Sequence, residues 1–259
     1  MEMQKTKSPY INYLHTIEYL HELFSLLFTA FRNIPSLKIS PVRTVFFRQI
    51  YFAGIETFGK MVVIGMLIGV VIITQITSLV GLGSAVLTGK ILIWVVVREL
   101  GPLLAAIIII ARSVTAISSE LGAMNIENEI ENIEIMGIDP SRYLIMPRVF
   151  ALTLSAVMLT FYFELAAIFG GIAVTSVFWA VPFEQYSKGM LSSLTITELS
   201  VSLIKSLLFG MAIAAVSCSQ GLKVRKSITQ IPQATTRATI QSLFLVFIFD
   251  GIITSIFFI

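Results

Sequence analysis

The 259-residue chain has few charged residues, because Asp, Glu, Lys and Arg together make up only 13% of it. A soluble domain is about 25% charged and about 45–50% apolar. Here 56% of the residues are hydrophobic, and the mean hydropathy is +0.90. The composition therefore excludes an ordinary soluble domain and predicts a membrane protein.

Cysteine and histidine are also scarce, which limits metal chemistry. The single Cys218 excludes an internal disulfide and a site built from several cysteines. His15 and His21 are six positions apart and do not share a helix face, so we expect no zinc site. The net charge of +3 is spread along the chain without a dense basic stripe, and we expect no nucleic-acid partner.

Motifs for nucleotide hydrolysis and acyl transfer are missing from the sequence. The stretch from Gly83 to Lys90 is one residue too long for a phosphate-binding loop, and Ile91 stands where Ser or Thr would hold magnesium. There is no G-x-S-x-G or H-E-x-x-H motif. We therefore expect no catalytic residue and no ATP hydrolysis by this chain, so any energy that it uses must come from a partner or a gradient.

Long apolar runs recur along the chain and predict membrane spans. A helix of about 20 residues crosses ~30 Å of hydrocarbon. The predicted spans cover residues 57–80, 91–119, 148–175, 199–220 and 238–258. The second is long for one crossing, so we expect tilt or a break near Gly101-Pro102. The predicted fold class is an all-α membrane protein with five transmembrane helices in one domain.

An amphipathic helix is predicted ahead of the first span, over residues 11–35. Apolar residues recur there at helical spacing and are interrupted by Glu18, His21 and Glu22. One interpretation is a helix that lies in the membrane interface. The other is a soluble amphipathic helix that packs on a partner.

Basic residues lie mostly on one side of the five predicted spans. Thirteen Lys and Arg residues fall in the segments up to residue 60, 121–148 and 221–237, against Lys90 and Lys188 on the other side. Because positively charged loops favour the cytoplasmic side, we predict a cytoplasmic N-terminus.

The segment 125–137, between the second and third spans, is predicted to form a short cytoplasmic helix that ends at Asp139-Pro140. Helical spacing gives this segment an apolar stripe and a separate acidic face. The stripe comprises Ile126, Ile130, Ile133 and Gly137, and the acidic face comprises Glu127, Glu131 and Glu134. The stripe either docks a soluble partner or packs against the protein's own bundle, and the spacing leaves both interpretations open.

Several ionisable residues lie within the predicted spans, where each is costly unless it is paired or hydrated. These are Glu99, Arg112, Glu164, Lys205 and Asp250. We expect Lys205 and Asp250 to form a structural ion pair. Arg98 and Glu99 either line a lipid cavity, where the guanidinium attracts a phosphate, or pair with other spans and hold the bundle together.

A series of short motifs runs in order from about residue 45 to the C-terminus. It comprises RQIYF at 48–52, RELGP at 98–102, ELGAM at 120–124, MGIDP at 136–140 and ATTR at 234–237. Together these motifs resemble the MlaE/YrbE permease family, although one of them alone would indicate little.

The resemblance implies a single permease domain over residues 1–259 and a homodimer of five-span subunits, each preceded by an interfacial elbow helix. Each subunit would bind a cytoplasmic ABC ATPase through the coupling helix 125–137. That ATPase would hold ATP and Mg²⁺, so no cofactor is expected on this chain. An MCE-domain protein would meet the outer side, and the cargo would be phospholipid or a related membrane lipid. The family usually has Glu-Gln where this chain has Asn128-Glu129, so we expect an ATPase matched to a more acidic helix.

The candidate site residues come from the resemblance, except for Arg98, Glu99 and the structural intramembrane charges, which follow from their position in or near apolar spans. The lipid-binding candidates are Ile72, Gln75, Leu79, Val80, Arg98, Glu99 and Leu100. The coupling-helix candidates are Ile126, Glu127, Ile130, Glu131, Ile133, Glu134, Gly137 and Asp139. The structural intramembrane charges are Arg112, Glu164, Lys205 and Asp250.

The predicted function is therefore that of the permease subunit of an ATP-driven lipid transporter, in a bacterial inner membrane or, alternatively, a plastid inner envelope. A gradient-driven secondary carrier that uses the intramembrane ionisable residues is a second hypothesis. An intramembrane enzyme acting on lipid is a third. The acidic cytoplasmic helix favours the first over the second, and the lack of a nucleophile–base or metal constellation disfavours the third.

Overall fold

The computed structural model describes residues 9–80, 85–178, 183–225 and 227–258. Within these ranges the chain is helical and contains no strand. Five helical stretches there are long and apolar enough to cross a membrane, which confirms the predicted fold class. They run over Ser40–Leu79, Val86–Ile126, Ser141–Ala173, Ile196–Leu222 and Gln230–Phe257.

The helices are often joined end to end, through single π turns, rather than separated by loops. In chain order they are α1 Pro9–Arg32, α2 Ser40–Ile50, α3 Glu56–Val80, α4 Ala85–Val95, α5 Gly101–Ile109, α6 Thr115–Ile126, α7 Glu129–Ile135, α8 Met146–Phe178, α9 Phe183–Ser193, α10 Ile196–Leu222 and α11 Gln230–Phe258. The π turns cover Tyr51–Ile55, Val96–Leu100, Ile110–Val114 and Ser141–Ile145, and a 3₁₀ turn covers Ile34–Lys38. The helical stretch that contains the first predicted span, 57–80, begins at Ser40.

Of the two alternatives expected for the second span, tilt or a break near Gly101-Pro102, the break is absent, because one helical stretch of 41 residues contains this span. Pro102 lies in the first turn of α5, directly after the π turn Val96–Leu100. Proline lacks an N–H and normally disrupts a helix interior, but it is tolerated in a first turn. A π turn changes the local hydrogen-bond pattern, so proline follows it without ending the span.

Helices α3 and α8 pack backbone to backbone through glycines. A Cβ atom on Gly69 would overlap the carbonyl of Ala167, and one on Gly170 would overlap the carbonyl of Met66. Small residues at such positions let two membrane helices approach closely and gain van der Waals contact. This contact joins the first and third spans.

The N-terminal helix α1 packs along α10 with one face and leaves the other face exposed. Leu23 and Ala30 are buried, whereas Phe24 and Phe28 are exposed. Glu22 binds α10 and the residue that follows it, because its carboxylate accepts hydrogen bonds from Ser219 Oγ at 2.9 Å and Lys223 Nζ at 2.6 Å. The helix therefore packs against the bundle on one side. Its other side exposes apolar residues such as Phe24 and Phe28.

Candidate functional site

A cluster of charged groups surrounds Lys205, whose side chain is 0% exposed in the middle of α10. Its Nζ lies 2.7 Å from Glu99 Oε2 and 2.8 Å from Asp250 Oδ1. The same ammonium donates to the backbone carbonyl of Arg98 at 3.0 Å and to Thr254 Oγ1 at 2.8 Å. The second, fourth and fifth spans therefore meet at one cation, and the predicted proximity of Lys205 and Asp250 is present.

The π turn Val96–Leu100 supplies Arg98 and Glu99 to this cluster. In this wider turn the Arg98 carbonyl accepts a hydrogen bond from Lys205, and the Glu99 carboxylate binds the same ammonium group. π turns occur mostly as single-turn bulges and often at functional sites. The pairing of Lys205 with Glu99 and Asp250 lowers the cost of holding these charges inside a membrane bundle.

Arg98 is the partly exposed base of the cluster. Its side chain is 25% exposed and that of Glu99 is 32% exposed, and Arg98 Nε lies 3.5 Å from Glu99 Oε1. Arginine is well suited to binding phosphate and carboxylate oxygens. Both interpretations from the sequence are thus compatible with the geometry, since Glu99 joins other spans while Arg98 keeps an accessible surface.

A further carboxylate, that of Glu164 on α8, is buried beside the cluster. Ser202 Oγ donates to Glu164 Oε1 at 2.5 Å. Gly101 makes room for this carboxylate, because a Cβ atom there would come within 2.7 Å of Glu164 Cγ. The side chain of Glu164 therefore lies between the second and fourth spans. Ser202 binds it by a hydrogen bond, and Gly101 leaves the space that it occupies.

Glu198 is a buried acid that the sequence analysis missed, because it lies just outside the predicted span 199–220. It lies in the first turn of α10, and its Oε2 has no hydrogen-bond partner among the described residues. Its backbone N–H donates to the Oγ1 of Thr195, which caps the helix. The Thr-x-x-Glu spacing at 195–198 is a helix-start signature that could have placed it on α10.

Arg112 connects the second span to the start of α3. Its Nη1 donates to Thr57 Oγ1 at 2.8 Å, and its Nη2 forms an ion pair with Glu56. The guanidinium also lies over the Phe52 ring, 4.5 Å from the ring centroid. Arg112 is thus fully engaged within the chain, as expected of a charge that braces two helices.

The other lipid-binding candidates lie away from the Lys205 cluster along α3, apart from Leu100. Gln75 and Leu79 are exposed, whereas Ile72 and Leu100 are half-buried. The side chain of Val80 lies outside the described residues. Gln75 and Leu79 are four positions apart and share a helix face, so they present a common surface to lipid or to another chain.

The predicted helix over 125–137 is wrong in extent. Helix α6 continues to Ile126, and the chain turns at Glu127 and Asn128 before the seven-residue helix α7. Asn128 adopts a left-handed backbone conformation with φ of 58°, which interrupts the helix. Asparagine tolerates this region better than most residues do. Gly137, with φ of 79°, ends the segment instead of continuing its apolar face.

The apolar stripe predicted on this segment faces the protein's own bundle. Ile130 is only 8% exposed, and Ile133 packs against the core. The exposed apolar side chains lie at the C-terminal end of the loop, where Ile135 is 76% exposed, Met136 67% and Ile138 47%. We call Ile135, Met136 and Ile138 the apolar tip. The acidic residues Glu127, Glu131, Glu134 and Asp139 are also exposed.

Asn125 ties this loop to the end of the fourth span, which sequence reasoning did not anticipate. Its Nδ2 donates to the carbonyls of Leu222 at 2.9 Å and Val224 at 2.7 Å. Helix α10 extends from these carbonyls to Lys205 and Glu198. The loop and the charged cluster are therefore connected through one helix.

Comparison with known proteins gives a consistent result. The family model described as Permease MlaE matches residues 46–256 of the chain. A probable ABC transporter permease protein of Synechocystis is 27% identical over 201 residues, which cover 77% of this chain and 76% of that protein. The intermembrane phospholipid transport system permease protein MlaE of Haemophilus influenzae is 26% identical over 213 residues, or 82% of each chain.

A plant relative extends the similarity to plastids. The chloroplastic protein Trigalactosyldiacylglycerol 1 of Arabidopsis thaliana is 28% identical over 195 residues. The match covers 75% of this chain and 55% of the plant protein. The similarity thus reaches across bacteria, cyanobacteria and chloroplasts.

Proposed function

Because this chain belongs to the Permease MlaE family, we propose that it moves phospholipid or a related lipid between membranes as the permease subunit of an ABC-type transporter. It is a multi-pass membrane protein and a transport component rather than an enzyme. The observation that carries the proposal is the family match across all five spans, with a polar cluster held inside the bundle. The alternative of a gradient-driven carrier is not favoured.

The proposed energy source is a separate ATPase that binds ATP and Mg²⁺. The loop Glu127–Pro140 supports this assignment, because the apolar tip is exposed beside acidic side chains. An apolar anchor with a charged rim is the usual composition of a protein–protein contact. We place the ATPase contact at Ile135, Met136 and Ile138 rather than at the inward-facing Ile130 and Ile133.

Coupling between the ATPase and the lipid site would run through α10. A displacement of the loop pulls on Asn125, which is bonded to the carbonyls of Leu222 and Val224. Helix α10 transmits that displacement to Lys205, and Lys205 is bonded to the second and fifth spans. A rigid helix with ion pairs to two neighbours can therefore change the arrangement of three spans together.

The cargo site is proposed at Arg98 and the exposed face of α3 that includes Gln75 and Leu79. The partly exposed guanidinium would bind the phosphate of a lipid headgroup, and the apolar side chains would contact its acyl chains. In a homodimer, two such faces would enclose a shared cavity. An MCE-domain protein on the outer side would receive or deliver the lipid.

The proposed location is a bacterial inner membrane with the N-terminus in the cytoplasm. The distribution of basic residues supports this orientation, because thirteen of them fall on the side of the N-terminus. A plastid inner envelope is the alternative, and the similarity to a chloroplastic protein supports it.

The decisive experiment is reconstitution in lipid vesicles with and without the partner ATPase. Transfer of a fluorescent phospholipid to acceptor vesicles should require the ATPase and ATP, and the isolated chain should hydrolyse no ATP. Lipid transfer driven by a proton or sodium gradient, without any ATPase, would overturn the proposal in favour of a carrier.

A further inference from the structure

A cavity of ≈ 370 Å³ lies at the end of the bundle that carries the loop Glu127–Pro140. It is enclosed by α2 and its following π turn, by α6, and by the beginning of the third span. Its polar lining residues are Arg48, Gln49, Glu120, Tyr143 and Arg148. It shares no residue with the charged cluster around Lys205.

Arg148 is the unusual member of this lining. Its side chain is only 2% exposed. Its Nη2 lies 3.0 Å from Glu120 Oε1, but its Nε and Nη1 have no hydrogen-bond partner among the described residues. Buried polar atoms are nearly always hydrogen-bonded, and a buried charge is costly unless its donors are satisfied. Two donors of a guanidinium that lines the cavity are therefore unsatisfied.

The charge of the cavity favours an anionic ligand. Arg48 is exposed on α2 and forms no ion pair within the described part of the chain. Glu120, which is 52% exposed, offsets one of the two arginines. One net positive charge remains, and the Gln49 amide and the Tyr143 hydroxyl add neutral donors.

The rest of the lining is apolar and favours a ligand with a hydrocarbon part. Val45 and Phe52 lie on one side of the cavity, and Ile117, Met124 and Leu144 lie on the others. A polar end beside an apolar wall matches a phosphate joined to a glycerol or acyl portion. Arginine is well suited to phosphate oxygens because its planar group offers several donors.

We propose that this cavity binds a phosphate-ester group, with Arg148 and Arg48 as its ligands and Glu120 as the residue that positions Arg148. One source of the group is the headgroup of a phospholipid in the leaflet at this end of the bundle, and this source rests on the proposed transport function. The other source is a soluble phosphate ester. The binding itself does not depend on transport.

The test is a titration of the purified full-length chain, stripped of lipid in detergent, with two ligands. Dihexanoyl phosphatidylglycerol represents the lipid source and glycerol 3-phosphate the soluble source, and native mass spectrometry or calorimetry reports binding. The variants are Arg148→Gln and Arg48→Gln. The matched control is Arg43→Gln. Arg43 is an exposed arginine that lies on α2, as Arg48 does, but outside the cavity.

We expect Arg148→Gln and Arg48→Gln each to weaken binding by about tenfold or more, because each removes charge-assisted hydrogen bonds. Arg43→Gln should bind like the parent. Binding of the acylated ligand alone identifies a lipid headgroup as the source, and equal binding of both ligands identifies a soluble ester. Because Arg48 is exposed, its variant remains informative even if Arg148→Gln does not fold.

Two results would overturn the proposal. One is that neither ligand binds the parent protein. The other is that Arg48→Gln and Arg148→Gln bind as the parent does while Arg98→Gln loses binding, which would place the only phosphate site at the Lys205 cluster. Neither result depends on ATP or on lipid transfer, so failure here is distinct from failure of the transport function.

Discussion

Lys205 and Glu99 are 106 positions apart in the sequence, and their side chains meet at 2.7 Å inside the bundle. Asp250 places a second carboxylate 2.8 Å from the same ammonium group. One cation therefore holds two anions from two other spans. Removal of that cation leaves two carboxylates inside the bundle, with Arg98 as the remaining base of the cluster.

The first prediction concerns Lys205→Met. We expect this change to lower the free energy of unfolding by about 3–5 kcal/mol, because removing one partner of a buried ion pair leaves uncompensated charge. The control is Lys188→Met, which breaks an exposed pair with Glu184 and should cost about 1 kcal/mol or less. Unfolding in detergent measures both, and equal losses would contradict the structural role of the cluster.

The second prediction concerns the proposed headgroup contact at Arg98. We expect Arg98→Gln to reduce the phospholipid that copurifies with the protein, because the guanidinium is the exposed donor of the cluster. Phosphorus analysis of the purified protein provides the measurement. Arg142→Gln, at an exposed arginine on the loop side, is the control and should leave lipid content unchanged. Unaltered lipid in the Arg98 variant would remove this residue from the cargo site.

The third prediction separates the apolar tip from the inward stripe. Ile135→Asp should leave the unfolding temperature unchanged and abolish copurification of the ATPase, because Ile135 is exposed. Ile130→Asp should instead lower stability, because a charge would be buried against the core. If Ile135→Asp still binds the ATPase fully, the apolar tip is not the docking surface.

The fourth prediction concerns the backbone contact between α3 and α8. Gly69→Ala should destabilise the protein by about 1–3 kcal/mol, because its Cβ would overlap the Ala167 carbonyl. Gly59→Ala lies on the same helix with nothing near its Cβ position and should be neutral or stabilising by up to about 1 kcal/mol. Parallel unfolding measurements test this difference, and matching losses at both sites would refute it.

The fifth prediction concerns the left-handed residue that shortens the loop helix. Asn128→Gly should leave stability nearly unchanged, because glycine adopts positive φ freely. Asn128→Val should cost about 1–2 kcal/mol, because a β-branched residue is strained in that conformation. Because position 128 is exposed, the two variants differ mainly in backbone preference. Equal stabilities would show that the turn at Asn128 is not required.

The five spans could be predicted from the sequence because apolar length is a strong physical constraint in a bilayer. The proximity of Lys205 and Asp250 could also be anticipated, since two opposite charges in apolar spans lower each other's cost. The partner of Glu99 was harder to predict, because the π turn Val96–Leu100 determines which way the Glu99 carboxylate points. A turn of that kind depends on packing and leaves no clear signal in a single sequence.

The loop between the second and third spans shows why local periodicity can mislead. Ile126, Ile130 and Ile133 have helical spacing, but Asn128 interrupts the helix that this spacing assumes. Ile130 is buried because the chain turns at Asn128 and because Asn125 binds the Leu222 carbonyl. The spacing of the isoleucines alone does not predict this burial. The inward burial of Arg148 was likewise invisible, because a basic residue at the start of a span normally indicates only topology.

The π turn Val96–Leu100 has a consequence for comparing this chain with its relatives. Each residue of an α-helix advances the chain by about 100° around the axis, and a π turn accommodates one residue more than an α turn does. A single-residue gap within this stretch would therefore turn the π turn into an α turn and leave the helix faces on its two sides in the same relative orientation. In an alignment, the same gap elsewhere in the helix would instead rotate every side chain on one side of it by about 100° relative to those on the other.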